Sequence, residues 1–181
     1  CCWAWPSTGS WVARRPAGSD PGAAERGSLF HAIFEHVVRE EVDPLAPDAV
    51  ERTLSIARRL FDEENLPPDI RAIWWPRVEA GVTGIAAWEA DRAPAVSERF
   101  AEIDADATAI AETGVRLTGR ADRMDRGPDG SVEIVDFKTG VPPSAKSVRA
   151  LLSPQLPLEG ALLRRGAFSE IGTADPAAMA Y

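Results

Sequence analysis

Cysteine is nearly missing. Cys1 and Cys2 stand side by side at the start, and the rest of the chain holds none. Two adjacent cysteines build neither a disulfide framework nor a zinc knuckle, and a chain otherwise free of thiols suits a reducing cytosol. Net positive charge is missing too: 20 Lys and Arg against 28 Asp and Glu leave -8 and a pI near 4.8. A free-standing nucleic-acid binder usually carries a basic patch, so the balance argues against one. It leaves room for an acidic metal site, or for a domain whose larger neighbours hold the nucleic acid. No apolar run approaches the length that crosses a membrane, and no signal-peptide pattern is present. The chain opens on Cys and stops within the strand-like "AAMAY", so it reads as a piece of a longer polypeptide. What remains is ordinary globular composition, 45% hydrophobic and 27% charged in 181 residues. That is one domain with a real core, and a tail.

Residues 1–25 show neither a helical nor a strand period and read as a poorly structured tail. Trp3, Trp5 and Trp11 are unusual there and have no physical explanation. "RGSLFHAIFEHVVREE", residues 26–41, is an amphipathic helix: Leu29, Ile33 and Val37 recur at four-residue spacing, flanked by Phe30, Phe34 and Val38. Ser28 is its expected N-cap. His31 and Glu35 share one face a turn apart. A second helix is expected over 48–65 and a third over 69–93, kinked where Pro76 removes a backbone donor. Strands are expected over 97–110, 114–124 and 131–140, the last two joined by the turn signal "GPDG". A helix over 145–166 and a strand from Ala177 follow. The order predicts an α/β (α+β) domain around a mixed sheet.

The ribbon "GRADRMDRGPDGSVEIVDFKTG" carries Asp122, Asp136 and Lys138 in strands, where Asp and Lys are disfavoured. Alternation puts Asp136 and Lys138 on one side. If Arg126 faces Val132 around the turn, Asp122 faces Asp136, with Cβ atoms about 4.5–5.5 Å apart. A one-residue slip would send Asp122 to the other face. Two opposed carboxylates destabilise a ribbon unless something positive lies between them. A hard Mg2+ or Mn2+ suits those oxygens. An exposed ribbon laced by salt bridges accounts for the same charges equally well, because Asp and Arg alternate through "GRADRMDR".

The spacing of Asp, about a dozen residues, then Asp-x-Lys across a hairpin resembles the PD-(D/E)xK nuclease superfamily. "RGSLFHAIFE" is similar to the first helix of its RecB-like branch, "GRADRMD" and "VDFKTG" to the two catalytic strands, and "SPQLPLEGALL" to the following helix with its Gln. The wording of these segments is most similar to the carboxy-terminal nuclease domain of AddB-type helicase–nuclease subunits, which process broken DNA ends for recombinational repair. The resemblance covers residues 26–181. It implies a restriction-endonuclease-like core, a mixed sheet flanked by helices, with a helical insertion at about 46–92. It implies that Asp122, Asp136, His31 and the Phe137 carbonyl hold Mg2+ or Mn2+. Lys138 would serve the attacking water and the phosphate, and Gln155 the water or the substrate backbone. Glu35 either supports His31 or is a solvated surface carboxylate. Glu159 stands where the branch often has Tyr, which puts that substrate contact in question. The cysteine-ligated iron–sulfur cluster of some relatives has no ligands here beyond Cys1 and Cys2.

The expected activity is metal-dependent hydrolysis of DNA, exonuclease-type, on single strands fed by a helicase. The expected partners are DNA and an AddA-like subunit, in the bacterial cytoplasm and without a membrane. Two other readings stay open: the same fold kept only for DNA binding or subunit assembly, and a structural α/β domain with no nucleic-acid role.

Overall fold

The computed structural model of the chain describes residues 22–181; most of the tail expected over 1–25 lies outside the described residues. Helix α1 spans Ala23–Arg39, α2 Ala49–Glu63 and α3 Pro68–Arg92. Strand β1 spans Glu98–Ala109, β2 Arg116–Arg126 and β3 Val132–Val135. Helices α4 (Ala145–Arg149) and α5 (Gln155–Arg164) and strand β4 (Pro176–Ala180) complete the fold. The sheet order is β1-β2-β3-β4, antiparallel except for the parallel β3/β4 pair. This is the mixed α/β architecture expected.

Helix α1 starts earlier than its period suggests. Its N-cap is Gly22, whose N–H donates to Glu25 Oε2 at 2.9 Å, and Ser28 lies inside the helix rather than capping it. The apolar stripe does what its spacing demands. Leu29, Ile33 and Phe34 are buried against Ala57 and Phe61 of α2 and Trp74, Val78 and Val82 of α3. Each such large side chain contributes about 1.5–3 kcal/mol when fully buried. Pro76 lies inside α3 without ending it. The pair α2–α3, expected as an insertion, thus shares one core with α1.

A second core lies on the other side of the sheet. Met124, Val132 and Ile134 pack against Leu156, Leu162 and Leu163 of α5 and against Phe168. The long helix expected over 145–166 is two helices. Leu151 takes a positive φ of 56° between them, and Pro154 becomes the N-cap of α5. Pro disfavours helical backbone in the residue before it, whereas Pro157 sits in the first turn of α5, where its missing N–H removes no intrahelical bond.

The β2–β3 hairpin has the register that the turn implies. Arg126 pairs with Val132, Met124 with Ile134 and Arg123 with Val135. Gly130 takes φ of 81° in the turn, a conformation that glycine enters without steric strain. The strand expected over 131–140 ends at Val135, however. Beyond it the Asp136 N–H donates to Ala180 O of β4 at 3.0 Å, while the Phe137 N–H turns to Asp122 Oδ2 at 2.9 Å. The backbone leaves the β2 ladder because a side chain of β2 takes its next donor.

The alternating charges of "GRADRMDR" divide into two groups. Arg123 and Asp125 face α3 and are buried. Arg123 Nη2 donates to Glu89 Oε2 at 3.0 Å and its Nε to Asp125 Oδ1 at 2.6 Å. Arg92 Nη2 reaches Asp125 Oδ2 at 2.8 Å and Glu133 Oε2 at 2.6 Å. Its guanidinium also lies over the Trp88 ring, 4.4 Å from the centroid. Arg120 and Arg126 pair outward with Asp104 and Glu98. Asp122 belongs to neither group.

Candidate active site

Three segments bring the site together at the end of the sheet. Helix α1 supplies His31, β2 supplies Asp122, and the run after β3 supplies Asp136, Phe137 and Lys138. His31 Nε2 lies 3.0 Å from the Phe137 carbonyl oxygen. Its Nδ1 lies 3.3 Å from Asp122 Oδ1 and 3.7 Å from Glu102 Oε1. The carboxylates of Asp122 and then Glu102 raise His31 from 6.5 to about 10, against the opposing effect of burial. Both ring nitrogens face oxygens, an arrangement that favours the imidazolium when no cation is bound. A cation bound to His31 requires that proton to leave.

Asp136 is fully buried, and neither of its oxygens accepts a hydrogen bond. Lys138 Nζ makes an ion pair with Oδ2 outside hydrogen-bond geometry. Burial raises the Asp136 pKa above its ordinary value; the Lys138 ammonium opposes this, and the nearby Asp122 charge adds to it. The two aspartates thus do converge at the end of the hairpin. Lys138 Nζ also donates to Gln155 Oε1 at 3.1 Å and lies 5.9 Å from the Tyr181 ring centroid. The structure gathers His31, Asp122 and the Phe137 carbonyl into one cluster, with Asp136, Lys138 and Gln155 beside it. Glu35 is not part of either: it pairs with Arg39 at 2.7 Å on the helix surface.

Two carboxylates at the site were not among the expected residues. Glu102 lies in β1 between the Ala101–Arg123 and Ile103–Ala121 pairs, opposite Asp122. Its φ is 50°, strained for a residue with a side chain. Its carboxylate, His31 and Asp122 place ligand atoms within 4.8 Å of one another. In sequence Glu102 is hidden among the acids of "EIDAD", and a local positive φ leaves no signal. Glu159 is buried, with Oε2 unpartnered. Burial raises its carboxyl to about 7, opposed by a hydrogen bond from Gln155 and reinforced by the charges of Asp136 and Asp122. Its signal was readable: Gln155 and Glu159 are four apart and share a helix face.

The donor set fits a hard divalent cation. Carboxylate and carbonyl oxygens with one imidazole suit Mg2+ or Mn2+, and the buried Asp136 has an Oδ1 without the hydrogen bond that a buried carboxylate oxygen normally has, its Oδ2 being ion-paired with Lys138.

Fold and site together define a nuclease-type α/β domain. The PD-(D/E)XK nuclease superfamily model matches residues 10–181, and the chain belongs to that superfamily. Relatives of similar sequence are uncharacterized proteins of Rickettsia bellii, 22% identical over 151 residues, and Rickettsia typhi, 24% identical over 155 residues. Each alignment covers 83% of this chain, and the chain spans 18% of the length of these relatives. Among the described residues no helix is long and apolar enough to cross a membrane.

Proposed function

We propose that the domain hydrolyses phosphodiester bonds of DNA with a divalent cation held by Asp122, Asp136 and the Phe137 carbonyl, and with His31 as a further ligand or positioner. The observation that carries this reading is Asp136: a fully buried carboxylate beside a second carboxylate, with Oδ1 free of any hydrogen bond and a single lysine ammonium set against the two acids. Such a pair has no folding advantage, and a cation between the two removes the penalty. The cation would supply Lewis-acid polarisation of the phosphate and an activated water nucleophile.

The chain's own residues do the rest. Lys138 Nζ sits on the Asp136 side of the site, where negative charge develops on the phosphate oxygens. Gln155 is a positioning residue that holds the ammonium through its Oε1. Glu102 opposes Asp122 and keeps His31 turned into the cluster. Water adds to phosphorus, one P–O ester bond breaks, and the departing oxygen leaves with a proton. The family resemblance extends the proposal to single-stranded DNA delivered by a helicase, to an AddA-like partner subunit, and to recombinational repair of double-strand breaks in a bacterial cytoplasm. A net charge of -8 supports delivery by other domains, since this surface repels phosphate as a whole.

Calorimetric titration with Mg2+ and Mn2+, on the wild type and Asp136→Ala, tests the reading. Binding by the wild type that is lost in the variant is expected. Equal heats for both proteins would overturn the assignment.

A further inference from the structure

Between α1 and α3, against the Lys138 side of the site, lies an open groove of about 440 Å3. Its apolar wall is made by the partly buried Phe30 and Phe137, with the buried Phe34 between them, and its rim by Arg26, Arg77 and Lys138. The rings form a run: the Phe30 and Phe34 centroids are 6.1 Å apart, and those of Phe34 and Phe137 4.6 Å. The carbonyl of the same Phe137 faces His31, so the groove and the candidate cation site share one residue.

Several basic residues among those described make no ion pair with a carboxylate, Arg26 and Arg77 at the rim among them, while Lys138 is paired with Asp136. Most of the arginines between Arg92 and Arg126 are engaged by carboxylates. Among the described residues no carboxylate pairs with Arg26 or Arg77, although acids outnumber bases. Gly81 of α3 adds an independent observation. A Cβ there would come within 2.8 Å of Phe30 Cε1. A glycine inside a helix costs about 1 kcal/mol relative to alanine, and here it gives the Phe30 ring room against α3.

We infer that this groove seats an unpaired base of the nucleic-acid strand beside the scissile phosphate, stacked on the phenylalanine wall, with flanking phosphates on Arg26 and Arg77. The inference rests on the nuclease reading and adds to its single-stranded substrate the place where an unpaired base stacks. An aromatic wall with a basic rim is how sequence-tolerant single-strand sites are built. A duplex, whose base faces are stacked on one another, offers nothing to this wall.

The test is photocrosslinking of the chain, in EDTA, to a single-stranded oligodeoxynucleotide carrying 5-iododeoxyuridine, with the modified peptide mapped by mass spectrometry. Crosslinks on the peptides holding Phe30 or Phe137 are expected. In parallel, fluorescence anisotropy at low salt should show the Arg26→Ala/Arg77→Ala double variant binding the strand about tenfold more weakly or worse. Its log–log salt slope should fall by about 0.7 for each lost cation. Phe30→Leu, which keeps an apolar side chain in the core, should lose a similar factor for the intact strand and little for an abasic one. Crosslinks confined to other surfaces overturn the inference, as does wild-type affinity in all these variants; either would leave the groove to a different partner. Cleavage separates the two readings. Groove variants that cut and bind like wild type sink the groove alone. A wild type that crosslinks in the groove but never cuts with Mg2+ or Mn2+ supports the groove and sinks the nuclease.

Discussion

Lys138 and Glu159 both feel the charge of Asp136, and each makes its own prediction. If Lys138 only balances charge, Lys138→Met leaves two unscreened carboxylates, tightens the metal and barely changes the rate. If it stabilises charge in the transition state, the variant binds metal as well or better yet cuts about 10²–10³-fold more slowly. The second outcome is expected, because Lys138 Nζ is held by Gln155 as well as by Asp136 and so is not committed to balancing Asp136 alone. Single-turnover cleavage at saturating Mg2+ decides it, and a rate within about threefold of wild type removes Lys138 from the chemistry. Glu159 makes a prediction about pH. Its folded pKa is raised by burial from 4.5 to about 7. The folded state therefore binds the proton more tightly than the unfolded one. Stability from this group is fully present below about 4.5, declines as pH rises to about 7, and is lost above that. Glu159→Gln removes the titration. In EDTA the variant should gain melting temperature relative to wild type between pH 5 and pH 8; a difference that stays constant with pH would show that Glu159 does not titrate there.

Helix α3 is joined to the sheet by charges rather than by apolar contact alone. Arg123 is buried between Glu89 and Asp125. Removing one partner of such a pair leaves an uncompensated buried charge and costs about 3–5 kcal/mol. Glu89→Ala should therefore lower the urea-unfolding free energy by about that much, and a loss under about 1 kcal/mol would show that Arg123 finds water or another partner. How far the elements were legible follows from the same physics. The α1 stripe and the β2–β3 register were readable, because a 3.6-residue period and a tight turn leave few alternatives. The end of β3 at Val135 was not, because it depends on the Asp122 carboxylate capturing the Phe137 N–H, a contact between residues 15 apart. The break between α4 and α5 had its signal in Pro154, outweighed in the sequence reading by an apolar run that continues past it. At the site, Asp122, Asp136 and Lys138 were singled out by strand geometry and His31 and Gln155 by the family resemblance, and the structure brings these five near one another. Glu102 was not singled out, since its place opposite Asp122 comes from β1 pairing, which no local pattern announces.

The whole molecule is acidic, yet its candidate site lies at the meeting point of α1, the β2–β3 hairpin and α5, with Arg26 and Arg77 nearby, neither paired by a carboxylate among the described residues. The net charge of -8 predicts weak and strongly salt-dependent binding of DNA by this chain alone. Tight binding at physiological salt would contradict that balance. The sequence relatives are more than five times as long as the stretch they share with this chain. The central claim, that this fold cuts DNA through a cation held at Asp122 and Asp136, is tested most directly by cleavage. A labelled single-stranded oligonucleotide is incubated with the wild type and with Asp136→Asn, in Mg2+ and in excess EDTA. The account predicts products only from the wild type with Mg2+. Undiminished cleavage in EDTA, or by Asp136→Asn, would contradict it.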